Sequence, residues 1–174
     1  MFPRFRPIGQ LASTYILCED MDGTLVLIDQ HAAHERLGFD NLMRQYKQGS
    51  VNQQHLLIPE NINLGDKGLA YVMENIGLLS KAGFEIEPFG GNTILVKSVP
   101  EILGNISTAK IFDELATNFE EHLGNETIEK EVEKIFAVVA CHAQVRSGDR
   151  LSNEEISVLV QCIAQENITH CPHG

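Results

Sequence analysis

No apolar run in this chain approaches the roughly 20 residues that a helix needs to cross a bilayer. The opening Met1-Phe2-Pro3-Arg4-Phe5-Arg6-Pro7 also lacks the apolar stretch of a signal peptide. These two absences predict a cytoplasmic chain with no membrane partner. Cysteine is scarce: Cys18, Cys141, Cys162 and Cys171 are all there is. In a cytoplasmic chain so few argue against a disulfide framework and leave core thiols or metal ligands. Basic residues are short as well, 13 Lys and Arg against 24 Asp and Glu, for a net charge of −11. That excludes tight autonomous binding to nucleic acid, whose affinity comes largely from neutralising phosphates. DNA chemistry would need a metal, another domain or a partner that delivers the substrate. Internal repeats and low-complexity tracts are missing too.

What is present is ordinary in bulk. The 174 residues are 43% hydrophobic, enough for one domain or two small ones with a real core. A linker-like opening and an abrupt stop at Gly174 read as a fragment. Residues 11–19 alternate like a strand, Asp20-Met21-Asp22-Gly23 is a turn, and 24–28 is a second strand of the same hairpin. Asp29 sits where an N-cap belongs, before a helix to residue 46. Residues 56–64 read as a strand interrupted by Pro59. A helix over 67–81 stops at Gly83, and Gly90-Gly91-Asn92 joins strands at 84–89 and 93–99. Residues 108–123 are an amphipathic helix. A mostly buried helix follows Thr127, and Ser152-Asn153-Glu154-Glu155 is a capping box for the last one. The predicted fold class is α+β, an α-β sandwich. Its two ends, 1–50 and 126–174, form one discontinuous layer arrangement, and 51–125 is inserted as a βαββα unit.

Chemistry concentrates in Asp29-Gln30-His31-Ala32-Ala33-His34-Glu35-Arg36. Helical spacing puts His31 and Glu35 on one face, an imidazole and a carboxylate suited to a borderline divalent metal. Cys141 and the compact pair Cys171-Pro172-His173 could complete such a set. Two thiols, two imidazoles and a carboxylate suit Zn²⁺ first and tolerate Mn²⁺. They could hold one structural ion plus part of an open second site, an arrangement used in phosphodiester hydrolysis. Each residue also has a plain reading. Cys141 alone is a core hydrophobe, His31 and Glu35 alone are a solvated pair, and Asp29 alone is a cap. A Cys–His hydrolase built on Cys171 and His173 has poor geometry, because neighbours two apart rarely oppose each other. Cys18 and Cys162 read as core. His34, His55, His122, His142 and His170 have no nameable partner and read as surface. Gln54-His55-Leu56-Leu57-Ile58-Pro59 reads as an exposed edge, a docking strip for a partner's groove.

Three of these segments carry a resemblance. Residues 29–36 resemble the DQHA-x-x-Glu motif of the MutL mismatch-repair family's C-terminal domain, in members that nick DNA. Ala140-Cys141-His142-Ala143 is similar to the family's ACxx(A/S), and Cys171-Pro172-His173-Gly174 to the opening of its CPHGRP. Order and spacing agree from about Gly9 to Gly174. The resemblance implies a homodimeric domain with a dimerisation/endonuclease subdomain from both chain ends and an inserted regulatory subdomain. It implies Zn²⁺- or Mn²⁺-dependent nicking of duplex DNA by metal-activated water. Asp29, His31 and Glu35 are the implied catalytic residues, and His31, Glu35, Cys141, Cys171 and His173 the implied metal ligands. Gln54, Leu57 and Pro59 resemble the family's sliding-clamp motif, and the clamp would hold an acidic nuclease on DNA. A mismatch-recognition protein would engage the full-length protein, acting at the chromosome. No nucleotide site is expected here, since the family's ATPase lies in another domain. The motif's last Glu is Asp40 here, about 140° round the helix from Glu35, which predicts a supporting role outside the ligand set. The alternative is a non-catalytic dimerisation and clamp-docking module with a structural zinc.

Overall fold

Asp20 closes the first expected turn by itself. Its carbonyl accepts from the Gly23 N–H (3.2 Å), and its Oδ1 accepts from the N–H groups of Asp22 and Thr24 (3.0 and 2.8 Å). Strands β2 (Tyr15–Asp20) and β3 (Leu25–Asp29) pair antiparallel around it, from Tyr15↔Asp29 to Glu19↔Leu25. The computed structural model describes residues 5–104, 106–120, 127–143 and 150–166.

Upstream the structure departs from expectation. Residues 11–19 are not one strand, and the opening is not a linker. Phe5–Leu11 forms β1, which pairs with β2 on the edge of a sheet ordered β1-β2-β3. Ala12 and Ser13 turn the chain with φ of 51° and 53°, the sign a type I′ turn needs at both central positions. Pro7 is tolerated on an edge, and a bulge between Pro7 and Gly9 takes up Ile8.

The inner face of this sheet carries Ile16 and Cys18, with Phe5, Val26 and Ile28 beside them. It packs on Ala33 and Leu37 of α1 (Gln30–Lys47) and on Ile156, Leu159, Val160 and Ile163 of α6 (Asn153–Glu166). Cys18 is the core thiol expected, its pKa raised by burial, while Cys162 is half-buried on α6. The expected capping box opens α6. Ser152 N–H donates to Glu155 Oε2 (2.8 Å), and Glu155 N–H donates to Ser152 Oγ (3.2 Å).

These elements form one compact unit, drawn from Met1–Phe39 and Gln144–Gly174; the other is drawn from Asp40–Ala143. Its cuts differ from the boundaries at 50 and 126 because the end of α1 and α5 (Ile128–Ala143) pack with the middle of the chain. Tyr46 of α1 meets Phe136 of α5 edge-on, ring centroids 5.8 Å apart.

The second unit holds a sheet ordered β4-β6-β5, from β4 (Gln53–Asn63), β5 (Glu85–Gly90) and β6 (Thr93–Pro100). Gly90 and Gly91 give the expected β5–β6 hairpin its positive φ values, 96° and 52°. The helix expected over 67–81 is broken into α2 (Gly65–Glu74) and α3 (Ile76–Lys81). The break falls at Asn75, whose backbone N–H makes a last helical bond to the Tyr71 carbonyl while its side-chain Nδ2 donates to the same oxygen, each at 3.0 Å. Gly83 ends α3 as expected, with φ 99°, a value L side chains rarely adopt, and a tight fit for any Cβ against Val51 and Pro100 (3.2 and 3.3 Å). Phe84 and Phe112 of α4 (Ala109–Glu120) stack edge to face at 5.3 Å. Each fully buried aromatic contributes roughly 1.5–3 kcal/mol of transfer free energy. Helix α5 buries Val132, Ile135, Phe136, Val138, Val139 and Ala140, an arc of about 200°, as the sequence predicts. Among the described residues no helix is long and apolar enough to cross a membrane. Mixed helices with two small antiparallel sheets make the chain α+β.

Candidate functional site

Asp29 ends β3 and caps α1. Its Oδ1 accepts from the N–H groups of His31 (2.9 Å) and Ala32 (3.0 Å), two of the donors that a helix start leaves unpaired. The strand's last residue therefore fixes the rotation of the helix. Helical spacing then places His31 Nε2 2.9 Å from Glu35 Oε1 one turn later. The Glu35 side chain is only 8% exposed, and a carboxylate out of water needs a cation or donors beside it. A Glu35 carboxylate only accepts, so His31 Nε2–H donates to it, and the lone pair of a neutral imidazole is left on Nδ1. That Nδ1 is buried and has no hydrogen-bond partner among the described residues.

A buried carboxylate 2.9 Å from an imidazole nitrogen fits a divalent cation that replaces the proton between them, and this donor pair suits Zn²⁺ or Mn²⁺. Two donors do not fill a coordination shell. Among the described residues no group of three or more His, Cys, Asp or Glu is arranged to hold a metal. Cys141 is a half-buried thiol on α5, in the other unit. Cys171 and His173 lie outside the described residues, as do His122 and His170. Asp40 is half-buried on α1, five positions beyond Glu35.

Other histidines correct the expectation of partnerless surface rings. His142 Nε2 lies 2.7 Å from Glu114 Oε2, with its own side chain only 16% exposed. Here the carboxylate is the wetter partner, at 42%, so this pair lacks the buried acid that marks His31–Glu35. His34 is half-buried and bonded to the backbone of Gln30. Burial, above all, lowers its pKa, and His31 adds to the effect, while the Gln30 bond and Glu155 oppose it. His55 is exposed and bonded to Ser98.

Sequence reasoning also missed Gln30. It is 2% exposed, its N–H donates to the Thr14 carbonyl (2.9 Å), and its Oε1 accepts from Gln10 of β1. It ties the first turn of α1 to the edge strand. The only available signal was a polar residue on the apolar side of a helix start.

Two apolar features face solvent. On the outer face of the first sheet, Leu17 pairs with Leu27 and Glu19 with Leu25, and Leu11 lies opposite Tyr15. Leu11, Tyr15, Leu25 and Leu27 are 42–59% exposed. Arg6 and Glu19 form an ion pair at the same face. In the second unit β4 leaves the ladder. Between the pairs His55↔Ser98 and Glu60↔Val96, β4 runs through residues 56–59 while β6 supplies only Lys97. The extra residues stand out as a bulge that exposes Leu57 by 99% and Ile58 by 79%. Pro59 is exposed and Gln54 half-buried at its base.

Solvent-facing apolar surfaces of this kind are what a domain built for assembly carries. The family described as MutL C terminal dimerisation domain matches residues 8–151, and the chain belongs to it. It is 38% identical over 174 residues to the DNA mismatch repair protein MutL of Geobacter sulfurreducens, covering 99% of this chain and 28% of that protein. Against the MutL of Paramagnetospirillum magneticum identity is 40% over 173 residues, 97% of this chain and 28% of the relative. Against that of Clostridium beijerinckii it is 36% over 174 residues, 99% and 26%. The chain thus spans 26–28% of the length of these bacterial relatives.

Proposed function

We propose that this chain is the homodimerising C-terminal part of a MutL-type mismatch repair protein, and that it carries a metal-dependent site for nicking duplex DNA. The nicking reading rests on one observation: buried Glu35 bonded to His31, whose second ring nitrogen is buried without a partner among the described residues. In this reading His31, Glu35, Cys141, Cys171 and His173 hold Zn²⁺ or Mn²⁺. A bound ion would supply Lewis-acid polarisation of the phosphodiester and a more acidic water. The chain's own residues prepare the site. Asp29 caps the first turn of α1, and an ion held by both side chains would take the place of the proton that His31 Nε2 shares with Glu35.

Dimerisation uses the outer face of the first sheet. A second copy laid on Leu11, Tyr15, Leu17, Leu25 and Leu27 buries the same residues reciprocally, the isologous contact of a two-fold dimer. Gln54, Leu57 and Pro59 dock on a sliding clamp. The clamp encircles the duplex and so offsets the repulsion expected from a net charge of −11. A mismatch-recognition protein meets the full-length protein in the cytoplasm, at the chromosome.

Nicking of supercoiled plasmid with Mn²⁺ and the clamp present tests the site. Glu35→Ala is expected to lose activity by on the order of a hundredfold or more, together with bound metal. Asp40→Ala is expected to keep most of its metal, because it points about 140° away on the helix. Equal metal loss in both variants rejects this division of roles, and undiminished nicking by Glu35→Ala rejects the site. Zinc retained with no nicking by the unmodified chain favours the non-catalytic dimerisation and docking module.

A further inference from the structure

The β4 bulge is apolar and almost fully wet, which is an unfavourable place for Leu57 and Ile58 to be held. A strand can escape such exposure by slipping its register, unless something pins it. Both roots of this bulge are pinned, and in each case the pin is a buried polar group. At the upstream root, Ser98 of β6 is completely buried. Its Oγ lies 2.7 Å from His55 Nδ1 and donates to Glu85 Oε2 (3.0 Å). A hydroxyl has one proton, so with that proton on Glu85 it accepts from His55 Nδ1–H. The three side chains form one row across β4, β6 and β5, through the pairs His55↔Ser98 and Glu85↔Ser98.

At the downstream root, Thr108 is also completely buried, directly before α4. Glu60 Oε2 accepts from both its N–H (3.0 Å) and its Oγ1 (2.6 Å). A slip of β4 by one residue would take the Glu60 carboxylate from buried Thr108 and the His55 ring from buried Ser98, which would keep only its bond to Glu85, and lost bonds at buried polar groups are costly. The demand of two buried hydroxyls therefore fixes where the bulge begins and ends.

We propose that Glu60 with Thr108, and His55 with Ser98 and Glu85, are positioning residues that preorganise the 56–59 bulge for docking. They act outside the partner's groove, by removing the ordering cost that a loose segment pays on binding. The inference rests on the clamp-docking reading above, and the experiment separates the two.

A purified bacterial sliding clamp is titrated with the whole chain and with a free peptide of residues 53–60. The chain is expected to bind about tenfold more tightly than the peptide. Glu60→Ala is expected to remove most of that advantage in the chain and to leave the peptide unchanged. Ser98→Ala, which lies outside the peptide, repeats the loss from the other root. Thr108→Val serves in place of Glu60→Ala if circular dichroism shows that variant unfolded. Equal weakening of chain and peptide by Glu60→Ala would mean direct contact with the clamp and overturns the proposal. So does a chain whose affinity none of these variants changes. Leu57→Ala is the control: binding that survives it sinks the docking reading itself, and this inference with it.

Discussion

The outer face of the β1-β2-β3 sheet and the β4 bulge both put leucines into water, but they do so in opposite shapes. The sheet face is broad, and Leu11, Tyr15, Leu25 and Leu27 are each about half exposed because neighbours shield their flanks. The bulge is narrow, and Leu57 has almost nothing beside it. A broad, gently twisted apolar surface is complementary to another like itself, so it suits a second copy of the chain. A knob finds no complement in a copy of itself and needs a concave partner. Side-chain chemistry is the same in both places; backbone geometry chooses the class of partner.

Charging the broad surface gives the largest expected effect. Leu25→Glu with Leu27→Glu is expected to weaken the dimer on the order of a thousandfold, from the loss of two buried leucines. Sedimentation would show monomers, and clamp binding per chain would persist. A dimer that survives both charges breaks the comparison. Leu57→Ala comes next: clamp affinity is expected to fall about thirtyfold, as at a hot-spot anchor, with the dimer untouched. Smaller effects sharpen the picture by weakening what supports the sheet. Ser152→Ala removes the Oγ that accepts from Glu155 N–H at the start of α6, and the melting temperature is expected to drop by about 3 °C. Clamp affinity, which belongs to the other unit, should not follow it.

The smallest effect is one of pH. The half-buried His34 ring resists protonation in the folded chain, so its folded pKa lies below the ordinary 6.5. The unfolded chain then binds more protons between the two values. The stability His34 contributes is complete above 6.5 and drains away as pH falls through the folded value. His34→Gln is expected to flatten the melting temperature across that window, and an unchanged slope would exclude His34 as its source.

Much of this was legible from neighbours in sequence. The Asp20–Gly23 turn, the Asp29 cap, the Ser152–Glu155 box and the Gly90-Gly91 hairpin each rest on bonds within a few residues. The His31–Glu35 contact is likewise one helical turn long. Strand β1 was hidden because Pro7 and Gly9 disrupt its alternation and because Ala12 and Ser13 make a turn usually left to glycine or asparagine. The break at Asn75 is marked only by which way one amide side chain points. The Glu60–Thr108 and His142–Glu114 bonds join distant segments, so no local pattern announces them. Cys141 carries its motif, but only the arrangement of the two units decides what it meets.

The core beneath the outer face of the first sheet also has an order in time. Strands β1 to β3 leave the ribosome well before α6, which covers Ile16 and Cys18. Throughout synthesis of the intervening segment the sheet is apolar on both sides, with one side awaiting its own helix and the other open to solvent. Such half-finished surfaces are where nascent chains aggregate. Slow emergence of 40–143 therefore lengthens the hazard, and a chaperone would find its best target on the nascent β1-β2-β3 sheet.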